Sequence, residues 1–122
     1  MCQSNCEKVY KTKVDIVVWK IGFKYKNYFS TGYESFHIPY NKIITAENYL
    51  NKFFRESINN NNDFTGGGFH CFLKEKDAID LIKIFRYEDD IVKVIIPKKT
   101  LVTEGYFEDY KSIVAKSIVI QN

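Results

Sequence analysis

The sequence predicts an α+β domain spanning residues 1–122, a mixed, largely antiparallel sheet with two helices packed on it. Three observations predict it. Apolar residues alternate from Trp19 through Ile21 and Phe23 to Tyr25, the period of two that marks a strand. Two later stretches switch to helical spacing, Leu50, Phe53, Phe54 and Ile58 in one and Ala78, Ile79, Leu81, Ile82 and Phe85 in the other. Two β-branched runs, Ile91–Ile96 and Ile113–Ile120, lie beyond the second helix, so strands flank the helices on both sides.

In chain order, residues 1–7 are expected to fray. Lys8–Lys26 is strand-forming, and its alternation predicts a buried face of Trp19, Ile21, Phe23 and Tyr25. Lys20, Gly22, Lys24 and Lys26 would then face water, with Gly22 marking a bulge. Lys26-Asn27 signals a turn, and Tyr28–Gly32 leads into an extended piece, Tyr33–Tyr40, which Pro39 confines to an edge or an end. Thr45 serves as N-cap for a helix from Ala46 to Ile58, with Glu47 in the first turn where the helix dipole favours a carboxylate. Asn59–Asp63 reads as a mobile loop.

Gly66, Gly67 and Gly68 then run into Phe69–Leu73, a strand too short and too apolar to be anything but buried. The glycines are not a P-loop, since no Lys-Ser/Thr follows and a strand replaces the required helix. Glu75–Phe85 is the second helix, Arg86–Asp90 a polar turn, and Ile91–Ile96 the most strongly β-forming run, ended by a turn at Pro97–Thr100. Leu101–Phe107 is a strand or a turn pair around Gly105, and Ile113–Ile120 closes the chain as one strand.

Composition bounds the function. A chain of 122 residues with 45% hydrophobic content can bury one core and is too short for two ordinary domains. Its 18 basic and 15 acidic residues are scattered, with no basic block of the kind that marks an electrostatic nucleic-acid footprint, so no specific nucleic acid is expected as a partner. The mild positive excess argues against the acidic face of a DNA mimic. No run approaches the roughly 18 apolar residues of a membrane span and no apolar leader follows Met1, so a cytoplasmic, reduced protein is expected.

Cys2, Cys6, His70 and Cys71 number four potential zinc ligands, but adjacent strand residues face opposite sides of a sheet, which removes His70 and Cys71 as a pair. No metal or cofactor is expected. Loss of Met1 would expose Cys2 as an N-terminal nucleophile, although no partner base stands near it in sequence.

Several segments together resemble a family of small phage and prophage proteins. They are the Met-Cys start, Val17-Val18-Trp19-Lys20 followed by Tyr28-Phe29-Ser30, and the cassette Gly68-Phe69-His70-Cys71-Phe72 with Asp77-Ala78. Val94-Ile95-Ile96-Pro97, Glu104-Gly105 and Ala115–Ile120 complete the pattern, which covers nearly the whole chain. The resemblance implies no activity to carry over. The Gly-aromatic strand before an Ala-containing helix is also remotely similar to compact ADP-ribosyltransferase-like folds. Those transferases need an Arg or His on the first strand, where this chain has Trp19 and Lys20, and a glutamate near the last strand, where it has Ser117–Gln121. The resemblance therefore implies a nucleotide-shaped pocket without the catalytic groups.

Three functional readings follow. In the first, a phage-type anti-defence protein binds and sequesters a nucleotide-like small molecule such as a cyclic or ADP-ribose-derived immune signal. Trp19 and Phe69 would stack on the base, Lys20 and Arg86 would meet phosphate, and Ser30, Thr31 and His70 would hydrogen-bond. Gly67 and Gly68 would allow close backbone approach. Each residue also has an ordinary place, Trp19 and Phe69 in a core, Lys20 on a solvated face and His70 at a sheet edge.

In the second reading, a protein inhibitor docks on a host defence enzyme through the aromatic Tyr25–Tyr40 segment. The third is a residual enzyme using a Tyr, His and Glu set or Cys2, with Glu104, Glu108 and Asp109 available as acids on solvated loops. A homodimer is expected, because Ile91–Ile96 or Val114–Ile120 would expose an apolar edge unless paired.

Overall fold

A computed structural model of the chain describes residues 4–30, 37–46, 68–85, 90–107 and 109–122. Its elements are β1 (Ser4–Lys11), β2 (Ile16–Lys24), β3 (Tyr28–Ser30), β4 (His37–Pro39), β5 (Ile44–Thr45), β6 (Phe69–Phe72), α1 (Glu75–Phe85), β7 (Asp90–Ile96), β8 (Leu101–Phe107), β9 (Tyr110–Ala115) and β10 (Ser117–Ile120). This corrects the α+β expectation. Ten strands form a single sheet in the order β1-β8-β9-β6-β2-β7-β10-β5, with β3 on β2 and β4 on β3, and every pairing is antiparallel. One helix of eleven residues accompanies it among the described residues, so the fold is largely β. Apart from Ala46, the helix expected over Ala46–Ile58 and the loop at Asn59–Asp63 lie outside the described residues.

The sheet closes on itself through a bend. β9 pairs with β6 and β10 pairs with β7, and only Lys116 separates β9 from β10. Since β6, β2 and β7 are neighbours, the path β9-β6-β2-β7-β10 returns to the segment it left, as in a small barrel. The bend leaves no orphan backbone group at Lys116. Its N–H donates to the Leu101 carbonyl at 3.0 Å and its carbonyl accepts from the Ala46 N–H at 2.8 Å. The predicted single strand Ile113–Ile120 is thus two strands in two different pairings.

Closure also settles the apolar edges. Ile91–Ile96 is bonded on both sides, to β2 and β10, and Val114–Ile120 contributes to strands that are likewise flanked. The edges that remain are blunted in ordinary ways: β1 carries a register shift between Ser4 and Lys8 and the charges of Lys8 and Lys11, β4 ends in Pro39, and β5 is two residues long. β1 reaches back to Ser4, into the stretch expected to fray.

Inside the closed sheet lies the main core, which includes Val18, Phe69, Cys71, Val92, Val94, Ile113 and Ile120. Outside it, α1 packs Ala78 and Leu81 against Phe72, with Trp19, Ile21 and Ile91 half-buried at the margin. Glu75 and Asp77 in the first turn of α1 and Lys83 in its last complement the helix dipole, and the bounds are those its periodicity predicts.

These two layers overturn the expected orientation of β2. Val18, Lys20 and Gly22 point inward, while Phe23 and Tyr25 are exposed. Gly22 is not a bulge, because the β2–β7 register runs without a break from Ile16↔Ile96 to Gly22↔Asp90. It is where β3 crosses closely. A Cβ there would stand 2.4 Å from a Phe29 ring carbon and 2.5 Å from the Ser30 carbonyl oxygen.

Candidate functional site

The least zipped junction of the closed ring is the seam between β2 and β6. Their ladder comprises the single pair Trp19↔Phe72, whereas β2 and β7 share seven pairs and β6 and β9 share four. Counting on from Trp19↔Phe72 places Lys20 beside Cys71 on the inner face and Ile21 beside His70 on the outer face. A side chain bridges the seam where the backbone does not. Lys20 Nζ donates to the His70 carbonyl at 2.9 Å.

Lys20 is 5% exposed in a core whose neighbours are Val18, Val92 and the Cys71 thiol. An ammonium has three donors, and the His70 carbonyl takes one. Among the described residues no carboxylate lies within ion-pair distance of it. Burial therefore lowers the Lys20 pKa from its ordinary value, with partial opposition from Cys71. Burial pushes the Cys71 thiol up to about 11, which makes it a protonated core residue and not a nucleophile.

The His70 ring lies on the other face of the same seam. Its Nε2 is buried and has no hydrogen-bond partner among the described residues. Burial, followed by the nearby Lys20 charge, pushes its pKa down to about 3, so the ring is neutral at ordinary pH. Two polar groups with hydrogen-bonding capacity unused among the described residues thus meet the seam from opposite faces of the sheet, Lys20 from inside and the His70 ring from outside. Unsatisfied buried polar groups are costly, which makes this seam the candidate site.

The other nominated residues divide around this seam. Phe69 is buried on the inner face and Gly68 is buried just before it, while Trp19 lies on the outer face against Phe72 and α1. The two rings expected to stack on one base therefore point to opposite sides of the sheet. Ser30 is buried on β3, opposite Phe23 and His37. Thr31, Gly67 and Arg86 lie outside the described residues, as do Cys2 and Gly66. The structure thus brings Lys20 and His70 into contact and does not converge Trp19, Phe69 and His70 on one concavity. His70 and Cys71 face opposite sides, as adjacent strand residues do. No group of three or more metal-ligating side chains occurs among the described residues.

Two features escaped the sequence. Glu104 is not a solvated loop carboxylate but a buried residue in β8, accepting a hydrogen bond from Tyr10 Oη and lying 3.8 Å from Lys8 Nζ and 3.7 Å from Lys111 Nζ. Burial and then this carboxylate push the Tyr10 phenol up to about 12. Tyr10 and Glu104 are 94 positions apart, so no local pattern could have joined them. The second is a stack of three rings, Tyr25 on Tyr28 at 4.8 Å and Tyr28 on His37 at 4.3 Å. The aromatic density of Tyr25–Tyr40 was its one visible signal.

No family model, curated protein or solved structure matches the chain. Among the described residues no helix is long and apolar enough to cross a membrane.

Proposed function

We propose that this chain is a non-enzymatic binding protein that sequesters a small anionic, nucleotide-like molecule at the β2–β6 seam, as a phage accessory protein acting in a host cytoplasm would. One observation carries the reading: the buried Lys20 amine spans the least-paired seam of the sheet, with donors left unused and no facing carboxylate among the described residues. A phosphate oxygen reaching Lys20 would supply the missing counter-charge in a low-dielectric setting, where a charge-assisted bond is strong.

Binding is favoured over catalysis by where the acids lie. Glu104 is committed to Tyr10, Lys8 and Lys111 and is separated from β6 by β9, so it cannot act with His70 as an acid–base pair. The test is a thermal-shift panel of linear, cyclic and ADP-ribose nucleotides. At a hundred times its Kd a ligand adds about 2.7 kcal/mol to the folded state, which raises Tm by about 10 °C for a domain of this size. The expected result is such a shift in the wild type and none in Lys20→Met. Absence of a shift across the panel would sink the reading.

A further inference from the structure

The three-ring stack belongs to a different corner of the molecule from the seam. It is formed where β2 runs out and β3 and β4 fold back, and it is surplus to the core. Phe29 and Ile38 alternate with Tyr28 and His37 on these strands and are fully buried, so the inner face is already filled without the stacked rings. Tyr25 and His37 are exposed, and each has an outer face that no other described ring or cation covers.

The rings are also held in place before any partner arrives. The Tyr25 N–H donates to the Tyr28 carbonyl at 2.9 Å, and the Tyr25 carbonyl accepts from Tyr40 Oη at 2.7 Å. Fixing both sides of Tyr25 removes ordering cost that a flexible aromatic would pay on binding. Among the described residues, three lysines lie near the stack in sequence. Lys24 and Lys26 flank Tyr25 in sequence, and Lys42 lies two residues beyond Tyr40; all three are exposed. Against them stands one carboxylate, Asp90, which accepts the Lys24 backbone N–H at 2.9 Å.

We infer that this corner is a platform for single-stranded nucleic acid. Unpaired bases extend the Tyr25–Tyr28–His37 stack, and Lys24, Lys26 and Lys42 meet the phosphates between them. Flat, exposed rings accept any base, and scattered lysines contact backbone without reading sequence, so binding is sequence-tolerant. Duplex bases are already stacked on one another and offer no face to the rings.

The experiment is fluorescence anisotropy with a labelled oligothymidine of about twelve nucleotides, a span within the site sizes such platforms cover, against the full chain. Tyr25→Ala and His37→Ala are each expected to weaken binding about fivefold or more while leaving Tm near that of the wild type. Three phosphate contacts give a slope of log K on log salt of about −2, hence a loss of roughly eighteenfold between 50 and 200 mM salt. Lys24→Gln, Lys26→Gln and Lys42→Gln together should flatten that slope. Lys20→Met should bind the oligonucleotide like the wild type, since the seam is a separate site.

The inference is overturned if the oligonucleotide does not bind, which would leave the exposed rings to a protein partner. It is overturned equally if a duplex of the same length binds as tightly, if the ring variants keep full affinity, or if Lys20→Met abolishes binding.

Discussion

Replacing Lys20 with methionine separates the cost of burying an amine from the value of its one hydrogen bond. Methionine fills similar space between Val92 and Cys71 and removes the amine. Two terms oppose each other. The His70 carbonyl loses its donor, at about 1–3 kcal/mol for a buried acceptor, while removal of a desolvated amine returns a quantity of the same order. A stability measured at one pH therefore decides little, and the pH dependence decides much.

Burial lowers the folded-state pKa of Lys20 below the ordinary 10.5 of the unfolded chain. Between those two values the unfolded chain holds a proton that the folded chain has released. Wild-type stability must then rise with pH through that window, by at most about 1.4 kcal/mol per pH unit, and the methionine variant must lack this rise. The assay is urea denaturation of both proteins at half-unit steps from pH 6 to the ordinary lysine value of 10.5, taken as wild type minus variant. The Cys71 thiol contributes the opposite slope above pH 9, because its folded value of about 11 exceeds the unfolded 9.0, but it is common to both proteins and cancels in the difference. A difference that stays flat across the whole range would refute the reasoning, since it would mean that Lys20 keeps its proton as a solvated lysine does.

Gly22→Ala should lower stability by about 1–3 kcal/mol, as overpacking does, because the new methyl would meet the Phe29 ring and the Ser30 carbonyl; a thermal melt checks it. Glu104→Gln should move one tyrosine titration, that of Tyr10, down from about 12 while leaving it raised by burial, as read by ultraviolet absorbance against pH. The His70 ring should remain neutral in nuclear magnetic resonance titration down to about pH 3. Its contribution to stability is complete above the unfolded value of 6.5 and is lost as pH falls from there towards 3, and His70→Gln should remove that portion of acid sensitivity.

What the sequence made legible was local. The helix Glu75–Phe85, the strand Ile91–Ile96 and the buried strand Phe69–Phe72 all declare themselves within a window of a dozen residues, by period, β-branching and flanking turns. Their partners do not. Alternation in β2 gave the right spacing and the wrong inside, because a strand covered by a barrel core on one face and a helix on the other buries both. Lys20 then looks solvated when Trp19 and Ile21 look like the sole apolar face.

The bend at Lys116 was hidden for a related reason. Ala115 and Ser117 both read as strand, and only the pairing of β9 with β6 and β10 with β7 shows that one extended run serves two sides of a ring. Thr12 illustrates the same distance: its hydroxyl donates to the Pro97 carbonyl at 2.8 Å and accepts from the Thr100 N–H at 3.0 Å. It thereby clamps the turn in which Lys99 adopts a φ of 67°. Of the candidate site, Lys20 and His70 were named from sequence, but their contact depends on a seam that no periodicity records.

The protonation of Lys20 with and without a bound nucleotide tests the proposed site most directly. Selective ¹³C labelling of lysine side chains, followed by a titration of the Lys20 Cε resonance, reads it at a single atom. The prediction is a pKa below the ordinary 10.5 in the free protein and a return towards that value when the nucleotide giving the largest thermal shift is bound, with protons taken up on binding. A Lys20 resonance that titrates at its ordinary value in the free protein, or one that no nucleotide moves, would contradict it.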